Sequence, residues 1–351
     1  MTLTKKLQTK IGIFKLLFNV NVFQGQTKLL TFPERYYSGR IKNHYNFYNK
    51  LMDSPYNSNH CLCHRYAFSL SNAISSSNFE KNFKLGIQAV TKEEFEKICR
   101  FRYREDSLAS LAGKLILRQM AKKFTNFSWN EIKFDRTERG KPFLSFPPVT
   151  TFGMNISHQG DYVAFVSSCS SNVGVDCMRL DVSRNNKTAD EYINSMSKSA
   201  SPNELRIMKT QPTDIMKMTV FYRIWCLKES FLKATGQGII NDLSTIDFQI
   251  NTSERYKPGV FIKSTKVNVD GKNETNFQFE ESFIDSNHMV AVCYNSKLPK
   301  KCKFYENEET KVFFSKVDFD FLLQGATILN PLHDNGTSAY EEFIKKPKKT
   351  F

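Results

Sequence analysis

No run of 18 or more apolar residues occurs in this 351-residue chain, so no transmembrane helix is expected. No nucleic-acid-binding motif is present either, and no nucleic-acid or membrane partner is expected. A disulfide framework is also missing. Cys61, Cys63, Cys99, Cys169, Cys177, Cys226, Cys293 and Cys302 are scattered, and Cys177, Cys226 and Cys293 lie inside apolar runs. That is the pattern of buried free thiols in a reducing compartment. The cluster His60-Cys-Leu-Cys-His64 has the residue types of a zinc site but lacks the spacing. Its ligands are too close together, and no second pair follows at a suitable distance.

Acidic residues are scarce at the start of the chain. Residues 1–60 hold nine Lys/Arg against two Asp/Glu, a net charge of +7 out of +15 for the whole sequence. That composition fits a mitochondrial presequence or a plain basic extension. The whole chain is 40% hydrophobic and 24% charged, enough to bury a sizeable core in one or two domains. A basic balance suits an anionic ligand or an acidic partner protein.

Organised sequence begins near Arg65. Thr91-Lys-Glu-Glu94 forms a capping box that opens a helix. A second helix opens at Asp106, with apolar positions 108, 111, 112, 115, 116 and 120 at helical spacing. Leu144 and Phe146 mark an extended stretch. Tyr162–Ser167 and Val173–Cys177 read as strands joined by a polar turn. Ser201-Pro-Asn-Glu204 is another capping box, with proline at the first helical position. A long helix is expected from Thr219 to Ala234, stopped by Gly236. Strands are expected at Ile246–Ile250, Val260–Val269, Phe277–Glu281 and Met289–Tyr294. Met289-Val-Ala-Val-Cys293 echoes Tyr162-Val-Ala-Phe-Val166, which suggests two related α+β halves. The expected organisation is a basic extension over 1–64, halves over 65–172 and 173–296, and a partly ordered tail over 297–351, with Phe319–Leu329 as a docking helix or strand.

Four local patterns bear on chemistry. Asp176 ends the apolar strand Val173-Gly-Val-Asp176, where aspartate is disfavoured. Glu229 and Lys233 lie one turn apart on the long helix and share a face with Trp225. Such spacing usually marks a solvated ion pair, but the neighbours Cys226, Phe231 and Leu232 place this face partly in a core. Asn155-Ile-Ser-His158 precedes a strand with small polar groups suited to phosphate. Arg136-Thr-Glu-Arg-Gly-Lys141-Pro sets three cations around a glycine turn, a shape that can surround a phosphate.

In this order, the Gly-Lys-Pro turn, the Asn-Ile-Ser-His loop, the Val-Gly-Val-Asp strand and the Trp-Cys-Leu-Lys-Glu-Ser-Phe-Leu-Lys helix resemble the 4′-phosphopantetheinyl transferase superfamily over roughly residues 65–295, animal-type members above all. The resemblance implies an α+β fold of two pseudo-symmetric halves with the active site between them. It implies transfer of phosphopantetheine from coenzyme A to a serine of an acyl or peptidyl carrier domain, with Mg²⁺ as cofactor. Lys97 and the turn of Arg136, Thr137, Glu138, Arg139, Gly140 and Lys141 would hold the phosphates of coenzyme A. Asn155, Ile156, Ser157 and His158 would complete that pocket, with His158 near the 3′-phosphate. Asp176 and Glu229 would bind Mg²⁺, Glu229 would activate the serine, and Lys233 would stabilise or protonate the departing adenosine 3′,5′-bisphosphate. Many members carry a further acid two residues after the aspartate. Met178 stands there instead, and Gln159 or a water would fill that coordination position.

The implied partners are carrier domains of a fatty-acid synthase, an aminoadipate-type or folate dehydrogenase, or a mitochondrial acyl carrier protein. The expected molecule is a cytosolic monomer, with the mitochondrial matrix as alternative compartment. A non-catalytic coenzyme A binder of the same fold is the alternative function, and retention of Asp176, Glu229 and Lys233 argues against it.

Overall fold

A computed structural model describes residues 61–148, 152–238, 242–297 and 313–349; the readings made for residues 1–60 lie outside this range. The chain enters through β1 (Arg65–Ser69) and four helices: α1 (Leu70–Ser75), α2 (Phe79–Gln88), α3 (Lys92–Cys99) and α4 (Arg104–Thr125). A hairpin of β2 (Lys133–Arg136) and β3 (Pro142–Phe146) follows, then a second of β4 (Gly153–Gln159) and β5 (Tyr162–Ser168). β6 (Val173–Arg179) opens the next stretch. It continues with α5 (Ala189–Ser195), α6 (Pro202–Lys209), α7 (Asp214–Thr235), β7 (Ile246–Gln249), β8 (Lys266–Val269) and β9 (Lys272–Glu274). The last hairpin is β10 (Phe277–Phe283) and β11 (His288–Asn295), followed by β12 (Ser315–Val317), α8 (Phe319–Leu323) and α9 (Thr337–Lys345).

The two stretches repeat one plan. A first strand leads to a 22-residue helix, α4 in one and α7 in the other, then to a short β excursion and a closing hairpin. The sheet orders correspond. β1 pairs antiparallel with β5, which pairs with β4; β6 pairs antiparallel with β11, which pairs with β10. The echo between 162–166 and 289–293 is the middle strand of each sheet. The fold is thus α+β with two pseudo-symmetric halves. β5 and β6, adjacent in sequence, are not ladder partners: each belongs to its own sheet.

Strand alternation allots the faces. On β6, Val173, Val175 and Cys177 join Tyr162, Ala164 and Val166 of β5 and Val290 and Val292 of β11 in a core between the sheets. The opposite faces of β6 and β11 carry Met178, Met289, Ala291 and Cys293 against α7. In the first half, Leu108, Leu111, Ala112, Leu115, Ile116 and Met120 of α4 are all fully buried, as their spacing predicts. A fully buried leucine contributes about 1.5–3 kcal/mol relative to an exposed one.

Caps fix several boundaries. Both predicted capping boxes are present, Thr91 with Glu94 and Ser201 with Glu204, and the predicted stop at Gly236 ends α7 in a left-handed conformation. α7 begins five residues earlier than its apolar pattern suggested, because the Thr213 hydroxyl accepts the Met216 N–H. The expected strand over 260–269 is confined to β8. Ile262 makes only an isolated bridge to Glu281, and the Thr265 hydroxyl donates to the Glu281 carboxylate instead of extending a ladder.

The C-terminal segment is part of the first half. β12 adds to β1 in parallel, and α8 and α9 pack Phe319 and Phe343 at a tilt against Phe79. Gln88 ties the connection down: its backbone carbonyl accepts from Leu329 and Asn330, and its side-chain oxygen accepts from Leu332. Among the described residues no helix is long and apolar enough to cross a membrane.

Candidate functional site

The halves meet along β4 and β6, which exchange side-chain bonds in place of a backbone ladder. Asn155, Ser157 and Gln159 alternate along β4 and so point the same way. The Asn155 Oδ1 accepts the Val175 N–H at 3.0 Å, the Ser157 hydroxyl donates to Asp176 Oδ1 at 2.8 Å, and Gln159 Oε1 accepts the Arg179 N–H. Arg65 and Glu280 add a buried ion pair between the halves.

Gly174 explains how α7 reaches this seam. A Cβ there would lie 2.0 Å from the Ser230 carbonyl oxygen and 2.5 Å from the Ala234 nitrogen. The α7 backbone therefore rests on β6 itself, which lets Lys233 donate to Asp176 Oδ1 at 2.7 Å and to the Val175 carbonyl at 3.0 Å. Asp176 follows Gly174 on the same face of the strand, so the Val-Gly-Val-Asp pattern places both the close approach and the acid. Trp225, Glu229 and Lys233 form a half-buried stripe on an otherwise buried part of α7.

Charges at the seam are strongly coupled. Burial raises the pKa of Glu229, and the Asp176 charge raises it further, with Lys233 opposing. Burial works against the Lys233 ammonium, but the charge and hydrogen bond of Asp176 outweigh it and leave the pKa raised. The site therefore holds a firmly protonated lysine beside a glutamate of enhanced basicity. Asp176 Oδ2 is buried and has no hydrogen-bond partner among the described residues. A bare carboxylate oxygen in a buried site invites a hard cation, and with the Glu229 carboxylate it makes an all-oxygen donor set suited to Mg²⁺.

Above the seam is a pocket of about 270 Å³. It is lined by Arg139, Gly140 and Lys141 of the β2–β3 turn, Asn155 and Ile156 of β4, and Glu229 and Lys233 of α7, among others. Three of the sequence patterns thus converge on one concavity. The turn is also a clasp between the halves: Lys141 Nζ donates to the Lys233 carbonyl at 2.6 Å and Arg139 donates to the Gln237 carbonyl at 2.6 Å. Arg136 donates to the Gly140 carbonyl within the turn. Thr137 and Glu138 are exposed on it.

Other expected residues lie nearby or apart. His158 points from the opposite face of β4 into a separate cavity of about 370 Å³ with Asp106, Arg179, Arg184 and Lys349. Solvent reaches its ring, but the surrounding protein desolvates it enough to lower its pKa. Lys97 is exposed on the last turn of α3 and is not among the residues lining the 270 Å³ pocket. Its charge acts instead on Lys114, a half-buried residue of α4. Burial lowers the Lys114 pKa and Glu94 opposes, while Arg136 and Lys97 lower it further. Met178 packs into the α7 core. Gln159 has spent one oxygen lone pair on Arg179.

Sequence reading overlooked two lysines. Lys114 adds a third cation beside Lys97 and Arg136; its signal was a lysine interrupting an apolar helix face. Lys228, inside the Trp-Cys-Leu-Lys-Glu pattern, is structural. It is fully buried, pairs with Glu204 at 2.7 Å and donates to the Leu243 and Ile246 carbonyls.

Comparison with known proteins decides the family. A model of the N-terminal part of 4′-phosphopantetheinyl transferases matches residues 77–170, and the model of the 4′-phosphopantetheinyl transferase superfamily matches residues 172–293. A human protein, L-aminoadipate-semialdehyde dehydrogenase-phosphopantetheinyl transferase, is 30% identical over 274 residues, covering 76% of this chain and 87% of the relative. This chain belongs to the 4′-phosphopantetheinyl transferase superfamily. The protein of the same name from Xenopus laevis is 32% identical over 231 residues, 65% of this chain and 74% of its own. The 4′-phosphopantetheinyl transferase of Bacillus subtilis is 28% identical over 162 residues, 46% of this chain and 67% of its own. The boundary between the two family models falls just before β6, where the second half of the fold begins.

Proposed function

We propose that this protein transfers the 4′-phosphopantetheine group of coenzyme A to a serine of a carrier domain, releasing adenosine 3′,5′-bisphosphate. The observation that carries this reading is the meeting of Asp176, Glu229 and Lys233 at the seam, with one bare carboxylate oxygen, beneath a pocket lined by the cationic β2–β3 turn. We divide the chain at residues 172 and 173, so that Asp176, Glu229 and Lys233 come from the second half and the cationic turn from the first.

In this reading coenzyme A lies with its phosphates toward Arg136, Arg139, Lys141 and Lys114. Asp176 and Glu229 hold Mg²⁺, which when bound neutralises charge on the pyrophosphate. Ser157 orients Asp176 by its hydrogen bond and leaves Oδ2 free for that role. Glu229 takes the proton of the carrier serine, whose oxygen bonds to the phosphorus of the phosphopantetheine arm as the bridging P–O bond breaks. Lys233 keeps its proton and faces the departing phosphate. A non-catalytic binder would have no use for a basic, half-buried glutamate at this place.

Both halves lie in one chain, which supports a monomer with a complete site. The buried free thiols Cys177, Cys226 and Cys293 support a reducing compartment, the cytosol first. The name of the vertebrate relatives supports an aminoadipate-type dehydrogenase carrier as the first candidate substrate. The test is to follow coenzyme A and adenosine 3′,5′-bisphosphate together with an apo carrier domain and Mg²⁺. Stoichiometric conversion supports transfer; binding of coenzyme A with no bisphosphate released supports the binder.

A further inference from the structure

The fold brings together three thiols that are far apart in sequence. Cys61 and Cys63 precede β1, and Cys169 follows β5. Their sulfurs all lie within 4.8 Å of one another. Cys63 Sγ is 3.9 Å and Cys61 Sγ 4.0 Å from Cys169 Sγ. A disulfide would need about 2.05 Å. Two thiolates on one tetrahedral zinc, each at about 2.3 Å, stand about 3.8 Å apart. The two spacings from Cys169 are those of neighbouring corners of a zinc tetrahedron.

The surroundings suit thiolates. The Leu62 N–H points at Cys169 Sγ at 3.1 Å and the Cys169 N–H at Cys63 Sγ at 3.5 Å. Backbone donors to sulfur favour the charged form and fix ligand orientation. Buried Leu62 anchors the segment, with its carbonyl accepting from the Ser167 hydroxyl, and both flanking cysteines are left half-buried. Cys61, Cys63 and Cys169 are only half-buried, unlike Cys177, Cys226 and Cys293, which are fully enclosed.

The geometry points to a Zn²⁺ site formed by Cys61, Cys63 and Cys169. Soft thiolate ligands select thiophilic ions such as Zn²⁺. Each thiol gives up its proton to solvent on binding, so affinity falls as pH is lowered. Among the described residues three thiolates are in reach, and a water would complete the tetrahedron. The ion would staple the segment entering β1 to the connection between the halves, away from the transfer site. By sequence, the spacing around Cys61 and Cys63 argues against zinc because no second pair follows nearby; the third ligand comes from a residue 106 positions beyond Cys63.

The test uses the full-length chain, purified without chelators, with metal content measured per chain. One zinc per chain is expected in the wild type and in Cys99→Ser, with loss in Cys63→Ser and Cys169→Ser. Losing a ligand should cost at least the 10–100-fold in affinity that an outer-shell change costs. Metal-free wild type titrated with Co²⁺ should show thiolate-to-cobalt charge-transfer absorption at one equivalent, a readout that needs no variant to fold. Zinc content unaltered by Cys169→Ser, Co²⁺ binding without that absorption, or a disulfide among these cysteines in freshly purified protein would each overturn the site. Copper in place of zinc would overturn the choice of ion.

Discussion

Replacing Gly174 by alanine adds one methyl group at the point where α7 rests on β6. That methyl would sit 2.0 Å from the Ser230 oxygen, 2.5 Å from the Ala234 nitrogen and 3.0 Å from the Lys233 carbonyl carbon. All three are backbone atoms, so no side chain can swing away. Restoring ordinary contact requires α7 to retreat by about 1 Å or more at the turn that carries Glu229 and Lys233. Overpacking of a tight core costs about 1–3 kcal/mol, occasionally more, and this rigid contact belongs at the upper end. At roughly 2–4 °C per kcal/mol, the melting temperature should fall by about 6 °C or more. A displacement of 1 Å in catalytic groups can cost about 10²-fold in rate, so kcat should fall by that order even at a temperature where the variant is folded. Gly271→Ala is the control. It lies in the β8–β9 turn at φ +74° with nothing within 4 Å, and should cost stability through backbone strain while leaving kcat unchanged. Thermal melts and carrier-loading rates for both variants test the argument. A Gly174→Ala protein with wild-type melting and a kcat within twofold of wild type would refute it.

Two further outcomes concern the seam and one the buried Lys228–Glu204 pair. Glu229→Gln should lower transfer by about 10²–10⁴-fold without loss of thermal stability. The sign follows from linkage: folding raises the Glu229 pKa, so its ionised form weakens the fold as pH rises through the shifted range, and a neutral isostere loses nothing at neutral pH. Near-normal turnover would remove Glu229 from the mechanism. Because Glu229 must be ionised to bind a cation, the Mg²⁺ concentration needed for half-maximal activity should climb as pH falls, beginning above the usual glutamate range; a requirement constant down to that range would contradict the assignment. Lys228→Met strands the buried Glu204 carboxylate and should cost about 3–5 kcal/mol in a denaturant melt. Adding Glu204→Gln removes the stranded charge while keeping an acceptor for the capping box, and should recover much of that stability, together with activity. An active-site role for Lys228 would show instead as activity still missing from the stable double variant.

Local signals in the sequence translated well into structure. Capping boxes at Thr91 and Ser201, the apolar spacing of α4 and the Gly236 stop are written in contiguous residues, and they marked the elements they cap or end. The repeat of the two central strands was visible because each must bury both faces, which forces similar apolar runs. Pairing was less legible. Tyr162–Ser167 and Val173–Cys177 are strands, but periodicity says nothing about partners, and each found its ladder in a different sheet. Lys228 looked like part of a chemical motif, yet its partner Glu204 is 24 positions away and capped a helix on paper. The C-terminal segment carried a plain apolar pattern with no sign that Gln88 would anchor it. The Cys61–Cys63 pair lacked its third member for the same reason: contacts between distant residues leave no periodic trace.

The most direct measurement is the intact mass of a purified apo carrier domain after incubation with this protein, coenzyme A and Mg²⁺. The account predicts a gain of one phosphopantetheine group on the carrier serine, abolished by chelating Mg²⁺ and by Glu229→Gln. A folded protein that binds coenzyme A yet leaves the mass of several different carriers unchanged would contradict it.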